Sequence, residues 1–165
     1  MVYTTLKVHS VRLGTIAYST ENPELVIKAL GNTIPPLLRS KALAKITKRR
    51  LVGYFGNPIH RITLIITKKP ATATLEYILR KKLDERDRSL ILGELEKYYD
   101  PDSQEFFIRI SKSRLFNDSM VLVSGIQESP VKIAIKFEQH GGRKERTNRV
   151  LKFLANELSG GDVSL

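Results

Sequence analysis

Val131-Lys132-Ile133-Ala134-Ile135-Lys136-Phe137-Glu138 is the stretch on which the fold turns. Val131, Ile133, Ile135 and Phe137 alternate with Lys132, Ala134, Lys136 and Glu138. Successive side chains of a strand point to opposite faces, so this spacing predicts a strand with one face in the core and one in water. Half-solvated strands of this kind belong to antiparallel or mixed sheets, because all-parallel sheets are covered on both sides. The same alternation recurs in Glu105 to Ile110, with Phe106, Ile108 and Ile110 on one side, and in Ile59 to Thr67, with Ile62, Leu64 and Ile66. Tyr3 to Ala17, rich in Thr, Val, Leu and Ile, reads as a long first strand. Ile46 to Tyr54 reads as another, joined to Ile59–Thr67 as a hairpin through Phe55-Gly56-Asn57-Pro58. Asn-Pro is not the usual two-residue hairpin pair, so the turn type stays open.

Helices fill the intervals. Asn22-Pro23 supplies a cap and a first-turn proline, Leu25, Val26, Ala29 and Leu30 follow at helical spacing, and Gly31-Asn32 stops the helix. Pro35-Pro36 then interrupts. Lys68-Lys69-Pro70 opens a helix buried along Leu75, Ile78, Leu79 and Leu83. After a break at Asp84 to Asp87, a second carries Leu90, Ile91, Leu95 and Tyr98. Asp100-Pro101-Asp102-Ser103 is a turn, Ser111 to Asn117 a helical turn, and Val121-Leu122-Val123 a short apolar piece. A last helix runs from about Arg143 to Leu158, burying Val150, Leu151, Leu154 and Leu158. The expected architecture is α+β: a single antiparallel or mixed sheet with helices packed on one face. At 165 residues one domain is expected over residues 1–158, with 159–165 as a flexible tail.

Composition narrows the function. Twenty-eight Lys and Arg against 17 Asp and Glu give +11 and a pI near 9.9, an attraction for polyanions: nucleic acid, an anionic membrane or an acidic protein. No apolar run approaches the roughly 20 residues of a membrane span, and Met1 to Thr5 does not open a secretory signal. No membrane partner is therefore expected, and a cytoplasmic setting is. The chain has no cysteine, which excludes disulfides, thiolate metal sites and Cys nucleophiles. His9, His60 and His140 have no metal-ligand spacing, Gly141-Gly142 matches neither nucleotide fingerprint, and no nucleophile elbow occurs. The acidic run Asp84 to Asp87 reads as capping and solvation. Neither catalytic residues, nor a metal, nor a cofactor is expected.

Two basic segments carry what signal there is. Lys41, Lys45, Lys48, Arg49 and Arg50 crowd one stretch, with Tyr54 and Phe55 directly after. On a strand Lys48 and Arg50 share one face while Lys45 and Arg49 share the other, so both faces cannot be core. Cations fix phosphates, and an aromatic ring can stack an unpaired base for about 1–3 kcal/mol. The same pattern also suits an edge strand charged against aggregation. The second segment, Arg143, Lys144, Arg146 and Arg149, sits in the first two turns of the last helix, where the dipole prefers acids. It reads either as an anion site or as a solvated face.

Gly53-Tyr54-Phe55-Gly56-Asn57-Pro58-Ile59 resembles the G-x-x-GNPI signature of an archaeal family of RNA-binding proteins, predicted exosome subunits. The likeness extends through the order of elements over about residues 5–158. It implies a fold similar to the large-subunit ribosomal protein that binds 5S rRNA, a homodimer, and RNA or an RNA-processing complex as partner. Gly56, Asn57 and Pro58 carry the signature, and a turn that needs Gly and Pro accounts for them as well as direct contact does. The function expected is non-enzymatic RNA binding in RNA processing or ribosome assembly. Lys45, Lys48, Arg49, Arg50, Arg143, Lys144, Arg146 and Arg149 would meet phosphates while Tyr54 or Phe55 stacks. The alternative is a protein-interaction subunit that docks an acidic partner or self-associates without touching RNA.

Overall fold

The alternating stretches resolve into one six-stranded sheet: β1 (Lys7–Ala17), β2 (Thr47–Val52), β3 (Pro58–Thr67), β4 (Tyr99–Asp100), β5 (Glu105–Ser111) and β6 (Pro130–Glu138). In this computed structural model, which describes residues 6–123 and 129–160, the order is β2-β3-β1-β6-β5-β4 and every pairing of neighbours is antiparallel. The start of the expected first strand, Tyr3 to Thr5, and residues 161–165 of the expected tail lie outside the described residues.

Register turns the alternation into rows. Leu13 stands between Leu64 and Ile133, which faces Ile108; Val11 stands between Ile66 and Ile135, which faces Phe106. All eight are buried. A slip of one residue would move each row into water, so burial of this face holds the register. A bulge between Val8 and Ser10 displaces His9 at the start of β1.

The described residues form seven helices, α1 (Pro23–Gly31), α2 (Pro36–Leu43), α3 (Lys68–Glu76, continued as a π-helical turn over Tyr77–Lys82), α4 (Glu85–Gly93), α5 (Leu95–Tyr98), α6 (Lys112–Leu115) and α7 (Arg143–Leu158), and buried residues of α1, α3, α4, α6 and α7 share one core with that apolar face. Asn22 caps α1 as its spacing predicts, its Oδ1 accepting from the Glu24 N–H at 2.9 Å. Pro35 and Pro36 separate α1 from α2, a helix formed inside the basic stretch, where sequence periodicity is weak. Leu25 and Leu90, expected on buried stripes, are about half exposed. Asp84 caps α4 as expected, but Asp87 is not a solvated charge. It lies buried in the first turn and accepts the Leu122 N–H at 3.0 Å, tying the 120–123 segment to the helix. On the opposite flank Lys112, buried, donates to the Ile16 carbonyl and to Glu21, each at 2.7 Å.

Phe137 is fully buried on β6 against the rings of Tyr99 and Phe153, 6.5 and 5.9 Å away. Phe137→Ala should therefore cost about 3–5 kcal/mol of stability, read as a lower urea midpoint.

Candidate nucleic-acid interface

The same register that gathers the apolar rows aligns the opposite face, which no helix among the described residues covers. Its rows are Arg49–Arg61–Ile16, then Thr47–Thr63–Gly14–Lys132–Arg109, then Ile65–Arg12–Ala134–Phe107, then Thr67–Ser10–Lys136–Glu105. Five strands thus bring Arg49, Arg61, Arg12, Lys132, Lys136 and Arg109 onto one surface, and all six are exposed. Among the described residues the carboxylates there are Glu105, 3.6 Å from Arg12, and Glu138 at the end of the face, beside Lys7 and 3.5 Å from His9. Arg49 stands directly opposite Arg61, and Arg109 opposite Lys132. Like charges in directly opposed positions destabilise a sheet, so two such pairs are a local cost of about 0.2–1 kcal/mol each.

The middle of this face is hollow. Gly14 has no side chain and a Cβ built on it would touch nothing, while Ala134 next to it is small. The result is a shallow groove of about 580 Å³ walled by Arg12, Arg109, Lys132 and the half-exposed ring of Phe107. Cations around a depression with one aromatic wall can hold phosphates at the rim and a flat ring inside.

Of the residues singled out in the sequence, Arg49 alone lies on this face. Lys48 and Arg50, opposite Ile62 and His60, turn to the helical side, as strand alternation requires. Lys48 is held there at 3.1 Å by Glu24 of α1. Lys45 is exposed just before β2. Tyr54 and Phe55 form the hairpin tip, 96% and 85% exposed, their rings edge-to-face at 5.0 Å. The tip is a five-residue loop: the Gly53 N–H donates to the Asn57 carbonyl at 2.7 Å, and the Gly56 N–H to the Gly53 carbonyl at 2.9 Å. Gly56 has φ 81°, which accounts for glycine there, while Asn57 and Pro58, both exposed, lead into β3.

The α7 cations lie at the other side of the molecule. Arg143 is 3.2 Å from Asp102 in the β4–β5 turn, which gives this cation a carboxylate partner. Asp100 organises the turn: the Asp102 N–H and the Ser103 hydroxyl hold its carboxyl below the usual range. Arg149 is three-quarters buried and donates to the His140 carbonyl at 2.7 Å, fixing the turn before α7. A Cβ on Gly141, whose φ is 117°, would come within 2.6 Å of that guanidinium. Arg146 is half-buried near Tyr99, whose hydroxyl burial pushes up and the Arg146 cation pulls back. Lys144 is exposed. β2 and β4 are the two edges of the sheet, about 24 Å apart at 4.8 Å per strand, so the two basic segments do not adjoin. Among the described residues no cluster of His, Cys, Asp or Glu could hold a metal ion, and no helix is long and apolar enough to cross a membrane.

Known proteins resemble this chain. A family model described as RNA binding matches residues 10–137. A protein of Pyrococcus abyssi named as an RNA-binding protein is 27% identical over 157 residues, 95% of this chain and 97% of its own. An uncharacterised protein of Methanocaldococcus jannaschii is 23% identical over 151 residues, 91% and 97% of the two chains. Among solved structures, one from Archaeoglobus fulgidus superposes with a TM-score of 0.72 at 24% identity, covering 90% of this chain and 99% of that one. Another, from Methanothermobacter thermautotrophicus, gives 0.63 at 22% identity over 89% and 98%.

The like-charge pairs make a direct prediction. Arg61→Glu converts the pair with Arg49 into an attractive one and should raise stability by about 0.5–2 kcal/mol in low salt, with the gain shrinking at 1 M salt. Urea melts at the two salt concentrations check it.

Proposed function

Since this chain belongs to the RNA-binding family whose model spans residues 10–137, we propose that it binds RNA directly on the open face of its sheet, without catalysis, in RNA processing or ribosome assembly. The observation that carries this reading is the face itself: six exposed cations from five strands, two like-charge pairs among them, around a groove walled by Phe107. A surface kept for solubility has no reason to oppose Arg49 to Arg61 and Arg109 to Lys132, whereas a polyanion removes both repulsions on binding. Phosphates meet the arginines and lysines, and an unpaired base enters the groove against Phe107. Lys48 and Arg50 are secondary in this account, because they lie on the other face. The place in RNA processing or ribosome assembly rests on the likeness to the exosome-linked archaeal family.

Salt dependence separates the surfaces. For single-stranded RNA each neutralised phosphate contributes about −0.7 to the slope of log affinity against log salt. Replacing Arg12, Arg61, Arg109 and Lys132 by Ala should flatten the slope by about three units, whereas Lys48→Ala with Arg50→Ala should change it by less than about one. A slope indifferent to the first set and sensitive to the second would move the interface to the β2 edge. Gly14→Val tests the groove without removing charge: a Cβ built at Gly14 meets nothing within 4 Å, so the fold should be kept while base-dependent affinity falls about tenfold.

The hairpin tip supports the second copy of the chain that the family resemblance implies. Val52, Tyr54 and Phe55, 77–96% exposed, are the apolar surface for it. Light scattering should return about twice 18.7 kDa at micromolar concentration, falling toward 18.7 kDa in Tyr54→Ser/Phe55→Ser. A mass of 18.7 kDa for the unaltered chain removes the dimer and leaves the tip free to stack bases.

A further inference from the structure

β2 is short: its last pairing toward the end of β3 is Thr47 with Thr63. Beyond it β3 runs on to Thr67 beside α2 instead of a strand, and a cleft of about 370 Å³ opens between them. That volume is at the lower end of what small-molecule sites enclose. Its apolar wall is Leu38, Ile65 and Pro70, and its polar rim is Lys41, Lys45 and Lys68. All three lysines are exposed, and no ion pair among the described residues involves any of them. Lys68 stands at the rim with φ 63°, in the left-handed region that residues other than glycine seldom adopt.

The cleft is continuous with the open face. Ile65 and Thr67 line both it and a second depression that includes His9, Arg12 and Lys136. Arg12 and Ala134 line both that depression and the central groove. A trough therefore crosses the sheet from Arg109 on β5 to the three lysines past the end of β2, where α2 closes its side.

Resting on the proposal that RNA lies along the open face, we propose that this cleft is a subsite for a phosphorylated terminal nucleotide of the strand. The terminal phosphate, more highly charged than an internal one, meets Lys41, Lys45 and Lys68. The base lies against Leu38, Ile65 and Pro70. Apolar wall and cationic rim are both needed: a bare phosphate has no use for the first, and an apolar ligand none for the second.

The test uses one short RNA in three forms, with a 5′ phosphate, with a 3′ phosphate and with hydroxyls at both ends. Binding to the intact chain is measured by competition at fixed salt. One phosphorylated form should bind about tenfold more tightly than the hydroxyl form, and Lys41→Gln/Lys45→Gln/Lys68→Gln should abolish that preference while still binding the hydroxyl form. Equal affinity for all three forms overturns the subsite and leaves RNA binding on the sheet standing. So does a preference that survives the triple substitution. If the intact chain binds none of the three, the RNA reading fails, and a nucleoside monophosphate titrated by NMR decides the cleft separately. Amide shifts centred on Ile65, Thr67 and Lys68 then retain a phosphonucleotide site there, and their absence overturns it.

Discussion

Burial on one side only is the constraint from which the rest of this structure follows. The antiparallel sheet gives its helices a face built from Val11, Leu13, Leu64, Phe106, Ile133 and Ile135, and the two-residue period sends every intervening side chain to the other side. Once those rows are packed, the positions of Arg12, Arg61, Arg109, Lys132 and Lys136 are no longer free. The register that completes the core also assembles the cationic face. Core packing and polyanion binding are thus two consequences of one alignment, and a substitution that shifts the register would damage both.

The open face is arranged against its own stability. Arg49 opposes Arg61 and Arg109 opposes Lys132, while Glu105 offsets Arg12 and stands opposite Lys136. A dense core of aromatic and branched residues tolerates that cost, and a bound polyanion removes it. Gly14 belongs to the same arrangement. Glycine weakens a central strand, yet here a Cβ would meet nothing within 4 Å, so backbone crowding does not demand it. Its effect is to keep the groove beside Phe107 empty. An acidic protein partner would be served by the charges as well, but has no particular need of a hollow lined by an aromatic ring.

Most of the fold was legible in the sequence because its signals are local. The alternation in β5 and β6, the Asn22-Pro23 start of α1, the hairpin between β2 and β3 and the limits of α7 all follow from neighbouring residues. α2 was not, because a helix of eight residues with a polar, weakly periodic surface leaves little pattern to read. The interface was harder still. Arg12, Arg61 and Arg109 are single cations on three strands far apart in the chain, and only the register places them together. Lys132 and Lys136 were visible on the solvent side of the β6 stretch but looked like ordinary solvation. Local clustering pointed instead to Lys48 to Arg50 and to the start of α7. There Glu24 engages Lys48, Asp102 engages Arg143, and Arg149 is committed to the His140 carbonyl.

The measurement that bears most directly on the open face as the RNA interface is a methyl-NMR titration with short single-stranded RNA at low salt. Ile16 and Ile65 lie on that face, whereas Ile78 and Ile91 are fully buried residues of the helical layer. The account predicts that the Ile16 and Ile65 methyl signals, with the Gly14 amide, move first and furthest while Ile78 and Ile91 stay in place. Shifts confined to α7, or to the hairpin tip at Tyr54 and Phe55, would contradict it.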